Sequence, residues 1–234
     1  MSRSGAGDDT ATEAVTWREL AVNRSLDSAR TRAESRVQRF LDAALELMDG
    51  SDTKEFTVQE VVERSGQSLR SFYQYFGGKH ELLLALFEES IRATAEHLSE
   101  LAAQEDDPLE RLRRFVTEYF RLCRPSAKAK TAKKVATPSP VLVDFAQQLL
   151  TAHPKEAARA FVPLVAVFEG ILDDAIAAGV VRTQLRRRTI AGVVLQAIMF
   201  NAFSSTIAGE SVQGGEGDSA AQVWDLLLNG IGAD

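Results

Sequence analysis

Residues Thr57–Lys79 read TVQEVVERSGQSLRSFYQYFGGK, and this stretch decides the fold. Its apolar members Val58, Val61, Val62, Phe72 and Phe76 sit at spacings that close two short helices around a turn at Gly66. Thr57 precedes the first apolar run and Ser68 the second. A hydroxyl there can accept from the free N–H groups of a first helical turn. Gly66 suits the left-handed backbone that ends a helix. The second helix then presents Arg70, Ser71, Tyr73, Gln74 and Tyr75 outward. A short capped helix with a polar outer face, set on a small helical base, has the form that enters a DNA major groove.

Ser65-Gly66-Gln67-Ser68, then Phe72-Tyr73-Gln74-Tyr75-Phe76, then Lys79-His80-Glu81-Leu82-Leu83 resembles the tetracycline-repressor (TetR) family of bacterial transcription regulators. The family pattern is roughly A-G-V-S, three variable residues, L-Y-x-H-F and a lysine opening the next helix. Ser65, Gln67, Phe72 and Tyr75 depart from it while keeping size or hydrogen-bonding role. The resemblance covers Val37 to Phe87. Beyond that the chain matches only in length and helical character. It implies an all-α fold: a three-helix DNA-binding domain with a helix-turn-helix, then a helical bundle for ligand binding and dimerisation. It also implies a repressor that binds a palindromic operator as a dimer and leaves it when a small hydrophobic effector binds.

The periodicity sets the boundaries. Residues 1–30 read as a flexible, arginine-containing extension with an isolated Trp17, residues 31–78 as the DNA-binding domain, and residues 79–234 as the effector and dimer domain. Helices are expected at about Arg32–Met48, Lys79–Ala103, Leu109–Cys123, Val141–Thr151, Pro154–Ala178, Arg186–Ala208 and Ser219–Asn229, with a kink near Pro163. Arg124–Pro140 is acid-free, with Arg124, Lys128, Lys130, Lys133 and Lys134, and reads as an exposed loop; Gly209–Asp218 reads as a linker.

Composition is that of a soluble globular chain, 45% apolar and 26% charged over 234 residues. No apolar run approaches the ~20 residues of a membrane helix, and the polar start lacks a secretory signal core. A single cysteine, Cys123, excludes an internal disulfide and fits a reducing, cytoplasmic location. The net charge of −6 opposes DNA binding, which needs phosphate neutralisation. The positive charge must therefore be arranged. Thr16–Arg39 holds six arginines against three acids, and Ser65–His80 has no acid at all.

Base reading falls to Leu69, Arg70, Ser71 and Gln74. Arginine can bond guanine and glutamine adenine in bidentate fashion, and leucine can touch a thymine methyl. The resemblance places Thr57, Ser68, Tyr73, Tyr75 and Lys79 on DNA phosphates, contacts that set register. Arg24, Arg30 and Arg32 are candidates for a minor-groove arm. The effector pocket candidates are Phe115, Tyr119, Phe120, Cys123, Phe145, Phe161, Phe168, Met199 and Phe200, an apolar and aromatic set; such stripes more often simply pack helices. The loop 124–134 could hold an anionic head group. The last two long helices resemble the family's dimer interface, with Ala191, Val194, Ile198, Ala202 and Phe203 as its contacts.

No catalytic carboxylate pair, phosphate loop, zinc motif or cofactor signature stands out, so the expectation is a non-enzyme without cofactor or metal. The competing reading is a helical ligand-binding or protein-interaction module without DNA function, supported by the near balance of seven Lys/Arg and eight Asp/Glu over Thr31–His80.

Overall fold

Helix formation starts upstream of the apolar pattern. In the computed structural model, which describes residues 16–49, 56–123, 140–181, 186–207 and 216–231, α1 runs Trp17–Asp49 rather than starting near Arg32. Residues 17–30 are thus its first turns. This stretch contains neither glycine nor proline, and Thr31 and Arg32 return side-chain bonds to the carbonyls of Asp27 and Ser28. It buries almost nothing: Trp17 is 75% and Leu26 62% exposed. Helical propensity, not an apolar face, carries it.

The C-terminal turns of α1 pack on α2 (Val58–Ser65) and, with α3 (Leu69–Tyr75), form the head. Its core is aromatic. Phe72 is fully buried; its ring meets Phe40 edge-on at 5.4 Å and lies 5.3 Å from Phe76. α4 (Lys79–Ala102) then leaves the head as a 24-residue helix, about 36 Å long at 1.5 Å per residue. Its stripe Leu82, Leu83, Leu86, Phe87, Ile91, Ala95, Leu98 and Ala102 is buried, as the sequence spacing predicts.

The body follows: α5 (Pro108–Cys123), α6 (Pro140–Ala152), α7 (Pro154–Ala160), α8 (Val162–Ala177), α9 (Arg187–Ile207) and α10 (Glu216–Ile231). The described residues therefore make an all-helical chain of ten helices. The long helix expected over Pro154–Ala178 is two helices that break at Phe161. Pro163 lies in the first turn of α8, where its missing N–H costs nothing and its ring stops α7 from running on. One apolar core runs from Phe40 in the head to Trp224 in α10, and among the described residues no charged or polar residue is fully buried. The tail before residue 16, the basic segment 124–139 and the stretch 208–215 lie outside the described residues.

Candidate nucleic-acid interface and effector cleft

The turn that aims α3 is built from local hydrogen bonds. The Thr57 hydroxyl accepts from the Glu60 N–H (3.2 Å), and the Glu60 carboxylate accepts from the Thr57 N–H (2.7 Å), a closed capping box. Gly66, at φ 64°, ends α2; its N–H and that of Gln67 donate to the Glu63 and Val62 carbonyls. Ser68 caps α3 by accepting from the Ser71 N–H at 3.1 Å. The Gln67 side chain donates to the Arg36 carbonyl at 2.8 Å and fixes the turn against α1.

This packing forms an open groove of about 350 Å³ walled by Arg36, Arg39, Gly66, Gln67, Ser68, Arg70, Ser71 and Gln74. Three guanidinium groups and no acid line it. None of the three forms an ion pair among the described residues. Leu69, Arg70, Tyr73 and Gln74 are exposed along α3. Ser71 is different: its hydroxyl is buried and makes no hydrogen bond, because at helical spacing it turns under the Arg70–Gln74 edge. The residue still stands in the groove wall beside Arg70 and Gln74. Thr57 and Ser68 are exposed, and both hydroxyls serve as caps. Tyr75 is half-buried against the core, and the Lys79 ammonium lies over the Phe56 ring at 4.9 Å.

Arg36 and Arg39 were not legible as groove residues. They look like ordinary polar positions three apart on a helix, and only the docking of the turn onto α1 brings them beside Arg70. The three candidates for a minor-groove arm lie in α1. Arg24 stacks over Trp17 at 5.5 Å, Arg30 pairs with Glu34 at 2.8 Å, and Arg32 bonds the Ser28 carbonyl at 3.0 Å. All three therefore belong to a helix and not to a flexible extension.

A second concavity, about 460 Å³, opens between α5, α6, α7, α8 and α9. Tyr119, Phe161, Val165, Leu195 and Met199 give it an apolar wall, while Glu169, Arg188 and Gln196 supply polar groups. Of the pocket candidates, Tyr119, Phe161 and Met199 line this concavity. Phe115, Phe120, Phe145 and Phe168 instead fill the core; Phe115 meets Phe168 at 5.1 Å. Phe200 is 72% exposed and faces away from it.

Cys123 is buried, and loss of water pushes its thiol up to about 12, against a smaller opposing bond from Tyr119. The flanking arginine Arg121 is drawn to Glu118 instead. The thiol therefore stays protonated at neutral pH. A proton held more tightly in the folded state leaves stability intact below the ordinary thiol range and erodes it as pH climbs towards 12. The expected result is that a thiol-reactive disulfide dye labels Cys123 of the native protein at neutral pH far more slowly than the urea-unfolded chain, and prompt native labelling would contradict the assignment.

Three of the residues expected at a dimer interface lie within one chain's own core. Ala191, Val194 and Ile198 are buried inside one chain's own bundle, because they occupy the stripe of α9 that packs on α5 and α8. The side chains of Ala202 and Phe203 lie outside the described part. The outward stripe of α9 carries Val193 (61% exposed) and Phe200, and α10 exposes Leu226 (74%).

Residues 40–86 match the family model of the bacterial regulatory proteins of the tetR family, so the resemblance carried by Ser65–Leu83 holds over that segment. No curated protein matches the chain in sequence. Solved structures share its fold. A TetR-family regulator from Pectobacterium atrosepticum is 19% identical, covers 88% of this chain and 98% of its own, and superposes with a TM-score of 0.64. FadR of Thermus thermophilus, a TetR-family repressor in complex with lauroyl-CoA, is 22% identical over 83% of this chain and 94% of its own, at 0.61. SmeT of Stenotrophomonas maltophilia, repressor of a multidrug efflux pump, is 17% identical over 85% and 91%, at 0.59. At these identities the likeness is one of fold.

Proposed function

We propose that this chain, of the tetR family by its helix-turn-helix segment, is a dimeric transcription repressor that binds a palindromic operator and is released by a small apolar effector. The observation that carries this is the acid-free groove in which Arg36, Arg39, Arg70 and Gln74 converge beside an exposed, capped α3. It answers the objection from net charge: the acids of the head lie elsewhere, Glu60 in the capping box and Glu46 against Arg64 at 3.2 Å. Arg70 and Gln74 would read base edges, and Arg36, Arg39 and Tyr73 would hold phosphates.

The effector would enter the cleft between α5 and α9, whose size falls in the range of ligand sites. FadR, with its bound acyl-CoA, shows an apolar chain in this fold. An effector acts on DNA only by favouring one arrangement of the two heads. α4 packs on α1 in the head and on α5, α6, α7 and α8 in the body, so it is the element through which such a preference would travel.

Val193, Phe200 and Leu226 would meet their counterparts across a two-fold axis, since large apolar side chains this exposed need a cover. Phe200→Glu is expected to shift the protein from dimer to monomer in sedimentation equilibrium, with secondary structure unchanged. A wild-type protein that is already monomeric would reject the interface. Selection of random duplex DNA by the purified protein tests the function itself. Enrichment of an inverted repeat with half-sites about one helical turn (~34–36 Å) or slightly more apart is expected. No enriched sequence would favour a helical binding module without DNA function.

A further inference from the structure

His80, the second residue of α4, and His153 and Glu156, at the start of α7, converge where the head meets the body. One nitrogen from each histidine ring and a carboxylate oxygen all lie within 4.8 Å of one another. His80 Nε2 is 2.8 Å from Glu156 Oε2, and the two imidazole centroids are 4.7 Å apart. We propose that these three side chains bind a divalent transition-metal ion of the Zn²⁺ class and fasten α7 to α4.

The ligand chemistry fits. Two imidazoles and one carboxylate are a donor set that Zn²⁺ takes with a fourth position left for water. Ligand atoms on a tetrahedral ion with bonds of about 2.0–2.1 Å lie roughly 3.4 Å apart, so modest side-chain rotations close the triangle. The His153 ring makes no side-chain capping bond to α7, whose first N–H groups donate to its backbone carbonyl instead. The histidine rings are braced. His80 packs edge-on to Phe145 at 5.4 Å, which orients its imidazole. The nearby cation Arg159 is drawn off by Glu88 at 3.0 Å.

The position gives the ion a consequence. His80 lies just beyond the Gly77–Gly78 turn behind α3, and α7 contributes Pro154, Ala157 and Ala158 to the effector cleft. Without a metal, the polar links across this junction are His80–Glu156 and Arg159–Glu88, both partly exposed. Exposed pairs contribute little, because water screens them and both side chains give up freedom to form them. A coordinated ion would be a far stronger tie between the head and the cleft wall.

Metal binding stands or falls apart from any DNA function. Isothermal titration of the metal-free full chain with ZnCl₂, in a non-chelating buffer, should show one ion per chain. His153→Ala and Glu156→Gln should each weaken it at least tenfold, since even supporting residues of metal sites cost about 10–100-fold. His97→Ala, on α4 but outside the cluster, should leave it unchanged. Zn²⁺ should raise the melting temperature of wild type and not of His153→Ala. His153 is exposed, so that variant folds; Glu156→Gln, nearly isosteric, is the second check. No saturable Zn²⁺ binding, or binding unaltered in His153→Ala, would overturn the site.

Discussion

Phe72→Ala is expected to lower stability by about 3–5 kcal/mol, read as a fall in the urea midpoint by circular dichroism. Phe72 has no exposed surface, and its ring touches Phe40, Tyr73 and Phe76. Helix α3 has seven residues, too few to be stable without packing. Phe72 is the one fully buried side chain that α3 supplies, so its removal leaves a cavity and frees the reading helix from its base. Tyr73→Ala makes the contrast. That side chain is 57% exposed, so truncating it should move stability by no more than about 0.5 kcal/mol while weakening DNA binding, because a phosphate would go unheld. If the two variants were equally stable, the packing account of the head would be wrong.

Arg70→Ala should weaken binding to the selected operator by about 1–3 kcal/mol, which is on the order of 10–100-fold, and relax the preference at one base position per half-site. Arg36→Ala and Arg39→Ala should act differently. As phosphate-binding residues they would, when removed, weaken operator and random DNA alike and reduce the salt slope by about 0.9 for each phosphate no longer neutralised. The groove geometry makes these distinct outcomes: Arg70 stands on the exposed edge of α3 and the other two stand on α1 behind it. Competition binding with operator and scrambled duplexes separates them. A uniform weakening in Arg70→Ala would move it from the reading set to the phosphate set.

The parts of this molecule that local chemistry specifies were legible in the sequence. Thr57 and Ser68 cap, Gly66 turns, and the Leu82–Leu98 stripe of α4 is buried, because caps, left-handed turns and helical stripes depend on residues within a few positions of one another. What depends on the neighbouring helix was not. The stripe Ala191, Val194 and Ile198 reads equally well as a dimer face or as the inner face of the bundle, since apolar periodicity names a buried side without naming its partner. The same degeneracy left Phe115 and Phe168 open between core and pocket, with core the commoner outcome, and concealed the outward turn of Phe200. The start of α1 was missed for the opposite reason: residues 17–30 are helical with no buried stripe for periodicity to detect. His80 and Glu156 are separated by 76 positions, and no spacing rule joins them.

The arginine-lined groove beside α3 is expected to bind DNA specifically. The most direct measurement is fluorescence anisotropy of the selected inverted repeat against a scrambled duplex, from about 50 to 200 mM salt, for wild type and Arg70→Ala. The account predicts that log affinity falls linearly with log salt, that wild type prefers the repeat by about 10³-fold or more, and that Arg70→Ala loses most of that preference. Equal affinity for both duplexes, or the same discrimination in Arg70→Ala as in wild type, would contradict it.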